Sequence, residues 1–263
     1  MFHGNVHRIS CFIVSHNEES WTPKKSNTMP IGPMPLCRVE ITAQSLVDGR
    51  LNVFLIRRQE APYKGSWALP GGVLRVDLDA NLDAAAKRVA AERLGIAPPN
   101  LRQLAAVGAR GRGPRGEEAW ALSVVYRALI PASTLSFTPD KRAAEVRWVA
   151  VDELPTKIAF EHSALIELAA RQTRADIASL TFPAGFIPER FTLGALQRLC
   201  EEVLGTRLDK SSFRRKLRDR ELVEPIAGAQ QRGDPHRPAA IYRLSSDRPI
   251  GATPRRLEKE PRV

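Results

Sequence analysis

The sequence predicts an α/β protein in two parts: a sandwich of strands and helices over residues 35–180, then, across a linker at 181–190, a small helical module with a terminal hairpin over 191–245. Three observations carry this. Alternating, β-rich stretches between Cys37 and Val149 share the chain with two helical stretches, one Ala-rich and ending at Leu94-Gly95, the other from Ser163 to Arg174; elements mixed in this way pack as layers over one core. Periodicity breaks at Phe182-Pro183-Ala184-Gly185-Phe186-Ile187-Pro188, where two prolines and a glycine fall close together. Beyond the break come two capped helices and two short apolar stretches.

With 263 residues and 43% hydrophobic content the chain can bury a substantial core. Forty Lys and Arg against 29 Asp and Glu leave a net charge of +11, which favours polyanionic partners such as nucleic acid or phosphorylated ligands. Cys11, Cys37 and Cys200 are scattered and include no C-x-x-C pair, so neither a disulfide framework nor a zinc site is indicated, which fits a reducing cytoplasm. The longest early apolar run, Ile9 to Val14, is too short for a signal-peptide core or a membrane span. A cytoplasmic protein without membrane contact is expected.

Residues 1–34 are aperiodic and read as a flexible arm or an over-long start; His3, His7 and Cys11 fall at helical spacing but lack a fourth ligand and are assigned no metal. Arg38–Thr42 and Leu51–Ile56 alternate and are joined by Asp48-Gly49, a hairpin signature. Arg57 and Arg58 follow, and Ala61–Trp67 leads into Pro70-Gly71-Gly72, where glycines let backbone approach a ligand. A helix is predicted over about 80–94, with Leu82, Ala85, Ala86, Val89, Ala90 and Leu94 apolar, Asn81 or Asp79 capping it and Gly95 ending it. Strands over Leu101–Val107 and Ala119–Ile130 flank the basic loop Arg110–Gly116, and a further strand covers Ala144–Val149. His162, alone at a helix start, reads as a hydrogen-bonded structural residue and not as an acid or base.

The stretch Gly65–Ile96 resembles a Nudix box. The family pattern ends in Arg-Glu-aliphatic-any-Glu-Glu-any-Gly-aliphatic, and here that part reads Arg88-Val89-Ala90-Ala91-Glu92-Arg93-Leu94-Gly95-Ile96. Positions 89, 92 and 93 share one helical face; in the family that face carries glutamates for Mg2+, whereas here it carries Val89, Glu92 and Arg93. Mg2+ takes hard oxygen ligands, so one carboxylate is a poor anchor. Gly72 to Arg88 also spans sixteen steps where the family has fourteen, and the earlier glutamate position falls on Leu78. The box therefore reads as a binding scaffold: no cofactor is required, and Glu92 is the only helix residue left to touch Mg2+.

In the second part, Thr192 caps a helix with Leu193, Leu196, Leu199, Cys200, Val203 and Leu204 on one stripe, and Asp209 caps a second through about Arg220. On that second helix Phe213 and Leu217 lie together, while Ser211, Arg214, Arg215 and Arg218 spread over the opposite arc with Lys210 and Lys216 beside them. Leu222–Ile226 and Ala239–Leu244 then read as two strands embracing a long loop. This is a winged helix-turn-helix outline, in which the second helix enters the major groove and flanking cations meet phosphates.

The Phe-Thr-Leu-Gly-Ala-Leu-Gln start at 191–197, the run Leu208–Leu217, Arg237-Pro238-Ala239 with Tyr242-Arg243, and Ile158-Ala159-Phe160-Glu161-His162 together resemble the Nudix-related transcriptional regulators over roughly residues 35–245. The resemblance implies a Nudix α/β/α sandwich with a mixed sheet that senses ADP-ribose or a related nucleotide, a DNA-binding winged helix, a homodimer, and repression of NAD or sugar metabolism genes. Candidate effector contacts are Arg57, Arg58, Trp67, Gly71, Gly72, Arg88, Glu92, Arg112 and Arg115. Candidate contacts to double-stranded DNA are Lys210, Ser211, Arg214, Arg215, Arg218, Arg232 and Arg237, with a basic tail over 246–263 adding attraction to phosphate. The rival is a Mg2+-dependent Nudix pyrophosphohydrolase using Glu92 with acids from elsewhere, such as Asp77, Glu117, Glu118 or Glu145.

Overall fold

The computed structural model describes residues 34–98, 100–112, 119–135, 143–183, 186–231 and 239–245. The arm with His3, His7 and Cys11, the loop residues Arg115, Glu117 and Glu118, the wing-tip residues Arg232 and Arg237, and the tail from 246 lie outside them.

Strands β1 (Leu36–Val47) and β2 (Arg50–Arg58) form the expected hairpin, and the turn residues Asp48 and Gly49 both take positive φ, 50° and 72°, as its tight geometry demands. The sheet adds β3 (Trp67–Ala68), β4 (Gly71–Val73), β5 (Arg102–Arg110), β6 (Trp120–Leu129) and β7 (Ala143–Ala150). The order is β3-β2-β1-β6-β5, with β4 paired to β1 and β7 to β2. β1 runs parallel to β6 and the other pairings are antiparallel, so the sheet is mixed.

Alternation along β1 assigns its two faces. Val39, Ile41 and Ala43 are buried with Ala85, Ala86, Val89 and Leu94 of helix α1 (Leu82–Leu94). On the other face, helix α2 (His162–Ala178) places Leu165 and Ile166 against Val53, Leu55, Leu69, Val125 and Val149. The β1 residues facing α2 are polar yet buried: Glu40, Thr42 and Gln44. Buried polar groups must be satisfied, and Gln44 accepts from Thr173 Oγ1, which in turn accepts from Arg127 at 2.9 Å; Arg127 also reaches Asp176. Asn81 caps α1 by accepting from Ala84 N at 2.8 Å, and Gly95 closes it in the left-handed region at φ 72°.

Helices α3 (Leu193–Leu204) and α4 (Lys210–Asp219) and strands β8 (Val223–Gln231) and β9 (Ala239–Leu244) make the second part. Its core of Leu196, Cys200, Val203, Phe213 and Leu217 is continuous with Phe182, Phe186, Ile187 and Phe191 of the connecting segment, and with Leu129, Ile177 and Leu180 of the sandwich. The proline-rich connection is therefore packed into apolar core. Two arginines add polar ties: Arg174 of α2 donates to Val203 O at 3.3 Å and grips Asp152 at 3.0 and 3.1 Å, and Arg220 donates to Ser179 O at 3.0 Å. Among the described residues no helix is long and apolar enough to cross a membrane.

Leu217 is fully buried at the centre of that shared core. Truncating a buried Leu removes its transfer free energy and leaves a cavity, so Leu217→Ala is expected to lower unfolding free energy by about 2–5 kcal/mol in urea titration, with the m-value unchanged.

Candidate effector and nucleic-acid sites

The Gly71-Gly72 turn sits between both layers. A Cβ on Gly71 would collide with the Glu40 carboxylate, and one on Gly72 would lie 2.9 Å from Val89 Cγ2. The room these glycines provide is thus filled by β1 and α1, which corrects the expectation that it admits ligand backbone. Arg88 is also tied down: it makes two 2.7 Å bonds to Asp79, one at 3.1 Å to Val73 O, and contacts Glu92 at 3.2 Å. Its i,i+4 pair with Glu92 is present as expected, but Asp79, expected only as a possible cap, is the stronger partner. Arg88 hydrogen bonding holds the Asp79 carboxyl down at about 2. The side chain thereby staples the loop after β4 to α1.

The box face does not fit a Mg2+ ion. Val89 is buried in the core, Glu92 is engaged by Arg88, and Arg93 donates from Nε to Gly71 O at 3.1 Å. A guanidinium thus stands on this face, and at an effective dielectric of 20 two like unit charges 4 Å apart repel by roughly 4 kcal/mol. Of the supplementary acids, Asp77 pairs with Arg75 at 3.0 Å, and Glu145 with Arg57 at 3.3 Å and Arg147 at 3.0 Å. Among the described residues no group of His, Cys, Asp and Glu is placed to hold a metal.

The other expected effector residues divide. Trp67 is buried at 9% exposure with Arg147 over its ring at 5.1 Å, so it offers no free stacking face. Arg57 is paired across the strand with Trp67 and donates to Gly65 O at 3.2 Å. Arg112 is turned inward, bridging Glu161 at 2.7 Å and Ser123 Oγ at 2.8 Å, and so anchors the loop it was expected to project from. Arg58 donates to Pro62 O at 2.9 Å and lies over the Phe160 ring at 5.3 Å.

Around Arg58 the structure gathers Arg38 and Glu40, which the sequence did not single out, together with His162. Glu40 is buried, bonded through one oxygen to Arg38 at 2.9 Å and lacking a partner for the other, Oε2. His162 Nε2 lies 4.0 Å from that oxygen, while Nδ1 accepts the Leu69 N–H at 2.9 Å. An accepting Nδ1 puts the proton of a neutral ring on Nε2. Burial pushes the His162 pKa down, Glu40 opposes this, and Arg38, Arg112 and Arg58 push it further down. His162 is thus structural, as its isolation suggested. The Arg38-x-Glu40 spacing, which places both on one strand face, was the available signal for this cluster.

The second site is on the winged helix. Thr192 caps α3 by accepting from Ala195 N at 3.1 Å, and Asp209 caps α4 by accepting from Ser212 N at 2.8 Å. Gln197 donates to Leu208 O at 3.0 Å and Glu201 accepts from Leu208 N at 2.9 Å, fixing the turn between the helices. α4 buries Phe213 and Leu217 and exposes Lys210, Ser211, Arg215 and Arg218. Ser211, Arg215 and Arg218 follow i, i+4, i+7 spacing and form one outward stripe. Arg214 is half-buried with its Nε unpartnered, at the edge of that stripe. Phe191 makes a single antiparallel bridge to Tyr242 of β9, beside the β8–β9 wing.

Fold and sites together define a class: a Nudix-type sandwich whose box face carries Val89, Glu92 and Arg93, sharing a core with a winged helix whose second helix presents cations. Residues 39–169 match the NUDIX domain and residues 183–244 the NrtR DNA-binding winged helix domain. The chain is 34% identical over 214 residues to the ADPR responsive transcriptional repressor NtrR of Acinetobacter baylyi, covering 81% of this chain and 83% of that one. It is similar in structure to Shewanella oneidensis NrtR complexed with a 27mer DNA, at TM-score 0.66 and 29% identity over 80% of this chain and 93% of that one. An ADP-ribose pyrophosphatase of Methanocaldococcus jannaschii is 28% identical over 127 residues, 48% of this chain and 70% of that one. The chain belongs to the NrtR family of Nudix-related transcriptional regulators.

Asp79 supplies a pH test. A carboxyl held at about 2 when folded, against 3.8 ordinarily, contributes stability that is present above the unfolded value and is lost as pH falls towards about 2. Asp79→Asn is expected to cost on the order of 1–2 kcal/mol at pH 7 and to flatten the parent's loss of stability between about pH 4 and 2, measured by urea titration across pH.

Proposed function

We propose that the chain is an ADP-ribose-responsive transcriptional repressor that acts on operators of NAD or sugar metabolism genes. The observation that carries this is the pairing of a cationic, outward α4 stripe with a Nudix box whose ligand face reads Val89, Glu92 and Arg93. The first suits a major groove; the second favours holding a nucleotide over cleaving it. The relatives named above support the same reading: one is a repressor that responds to ADPR, and another was crystallised with DNA.

In this reading Arg215, Arg218 and Ser211 face base edges, while Lys210 and the wing, including Arg232 and Arg237, meet phosphates. A homodimer would present two such helices to a pseudo-palindromic site, in the cytoplasm where the operator lies. Effector controls DNA affinity by preferring one arrangement of the sandwich and the winged helix over another, and the shared core around Ile177, Val203 and Leu217 gives that preference a mechanical path.

The test is fluorescence anisotropy on DNA from upstream of the protein's own and neighbouring genes, against random duplex at fixed salt. Arg215→Ala is expected to weaken operator binding by about 1–3 kcal/mol with a smaller loss on random DNA, and Lys210→Ala to reduce the salt slope by about one. Equal losses on operator and random DNA for Arg215→Ala would contradict the base-reading role.

A further inference from the structure

Two aromatic residues from separate loops hold backbone angles rare for side chains of their size, Tyr63 at φ 64° and Phe160 at φ 54°. Such conformations persist where surrounding structure over-determines them, and they concentrate at ligand clamps. Here they bring the two rings edge to face at 4.7 Å and 61°. Phe160 lies 5.3 Å from the His162 ring and carries the Arg58 guanidinium over its face, whereas Tyr63 is 51% exposed. The row then runs inward through His162 to Glu40, whose Oε2 is buried without a donor, and to Arg38 bonded to that same carboxylate.

An exposed aromatic face at one end and cations close behind it match a flat, π-rich base joined to a pyrophosphate. We propose that Tyr63, braced edge to face by Phe160, is the platform on which the purine of the nucleotide effector stacks, with Arg58 between the base and the phosphates. The proposal rests on the effector-binding reading above and assigns its base to specific side chains. It moves base recognition from Trp67, which is 9% exposed, to Tyr63. Aromatic platforms of this kind are sequence-tolerant π surfaces reinforced by cation–π contact.

The test compares the full chain with Tyr63→Asn and Tyr63→Phe. Asn tolerates the left-handed backbone, so the first change removes the ring without adding strain, and the second keeps the ring. Titration calorimetry at fixed salt would follow ADP-ribose and, as a ligand without a base, ribose 5-phosphate. Tyr63→Asn is expected to lose about tenfold or more in ADP-ribose affinity, Tyr63→Phe to stay within about twofold, and ribose 5-phosphate to bind all three alike. Undiminished ADP-ribose binding by Tyr63→Asn, or an equal loss for both ligands, would overturn the stacking role. Absence of ADP-ribose binding by the parent chain would instead overturn the effector reading on which it rests.

Discussion

Between His162, which accepts the Leu69 N–H at 2.9 Å, and Ile177, buried with Leu196 and Val203, helix α2 spans about 22 Å of the molecule at 1.5 Å per residue. Its first turn backs the cluster of Glu40, Arg38 and Arg58; its last turns share a core with α3 and α4. Arg174, near its C-terminal end, binds Asp152 of the sandwich and Val203 O of α3 at once. Because Thr173 and Asp176 engage Gln44 and Arg127 of the sheet, α2 cannot shift without breaking buried polar bonds. Close-packed interiors of this kind adopt discrete arrangements rather than deforming smoothly. That is the property a ligand-controlled DNA binder needs.

The box helix illustrates how a change of charge on one face leaves a fold in place. With Arg93 on Gly71 O and Arg88 on Asp79, the loop after β4 is held by fixed guanidinium groups where family members hold a metal with carboxylates. A bound dication is lost to chelators and competes with solvent; a covalently attached cation does neither.

Local signals made much of this legible in the sequence. Caps and periodicity placed α1, α3 and α4 within a residue or two, because Asn81, Thr192, Asp209 and Gly95 act on their own neighbours. What was not legible depends on distant pairings. Arg112 reads as a loop cation until Glu161, far along the chain, takes it; Trp67 reads as an effector contact, and nothing local shows that it is buried under Arg147. Tyr63 and Phe160 carry no local signature, since only the closed sheet brings their loops together. Glu40 sits in a central strand that is buried on both faces, a context that alternation alone does not reveal.

The central claim is that nucleotide binding in the sandwich changes what α4 does. The most direct measurement is the operator dissociation constant of the full chain with and without saturating ADP-ribose at one stated salt concentration. The account predicts a shift of about 5- to 150-fold, the range of typical coupling free energies, with ADP-ribose recovered intact. An operator affinity indifferent to ADP-ribose, or ADP-ribose consumed in a Mg2+-dependent reaction, would contradict it.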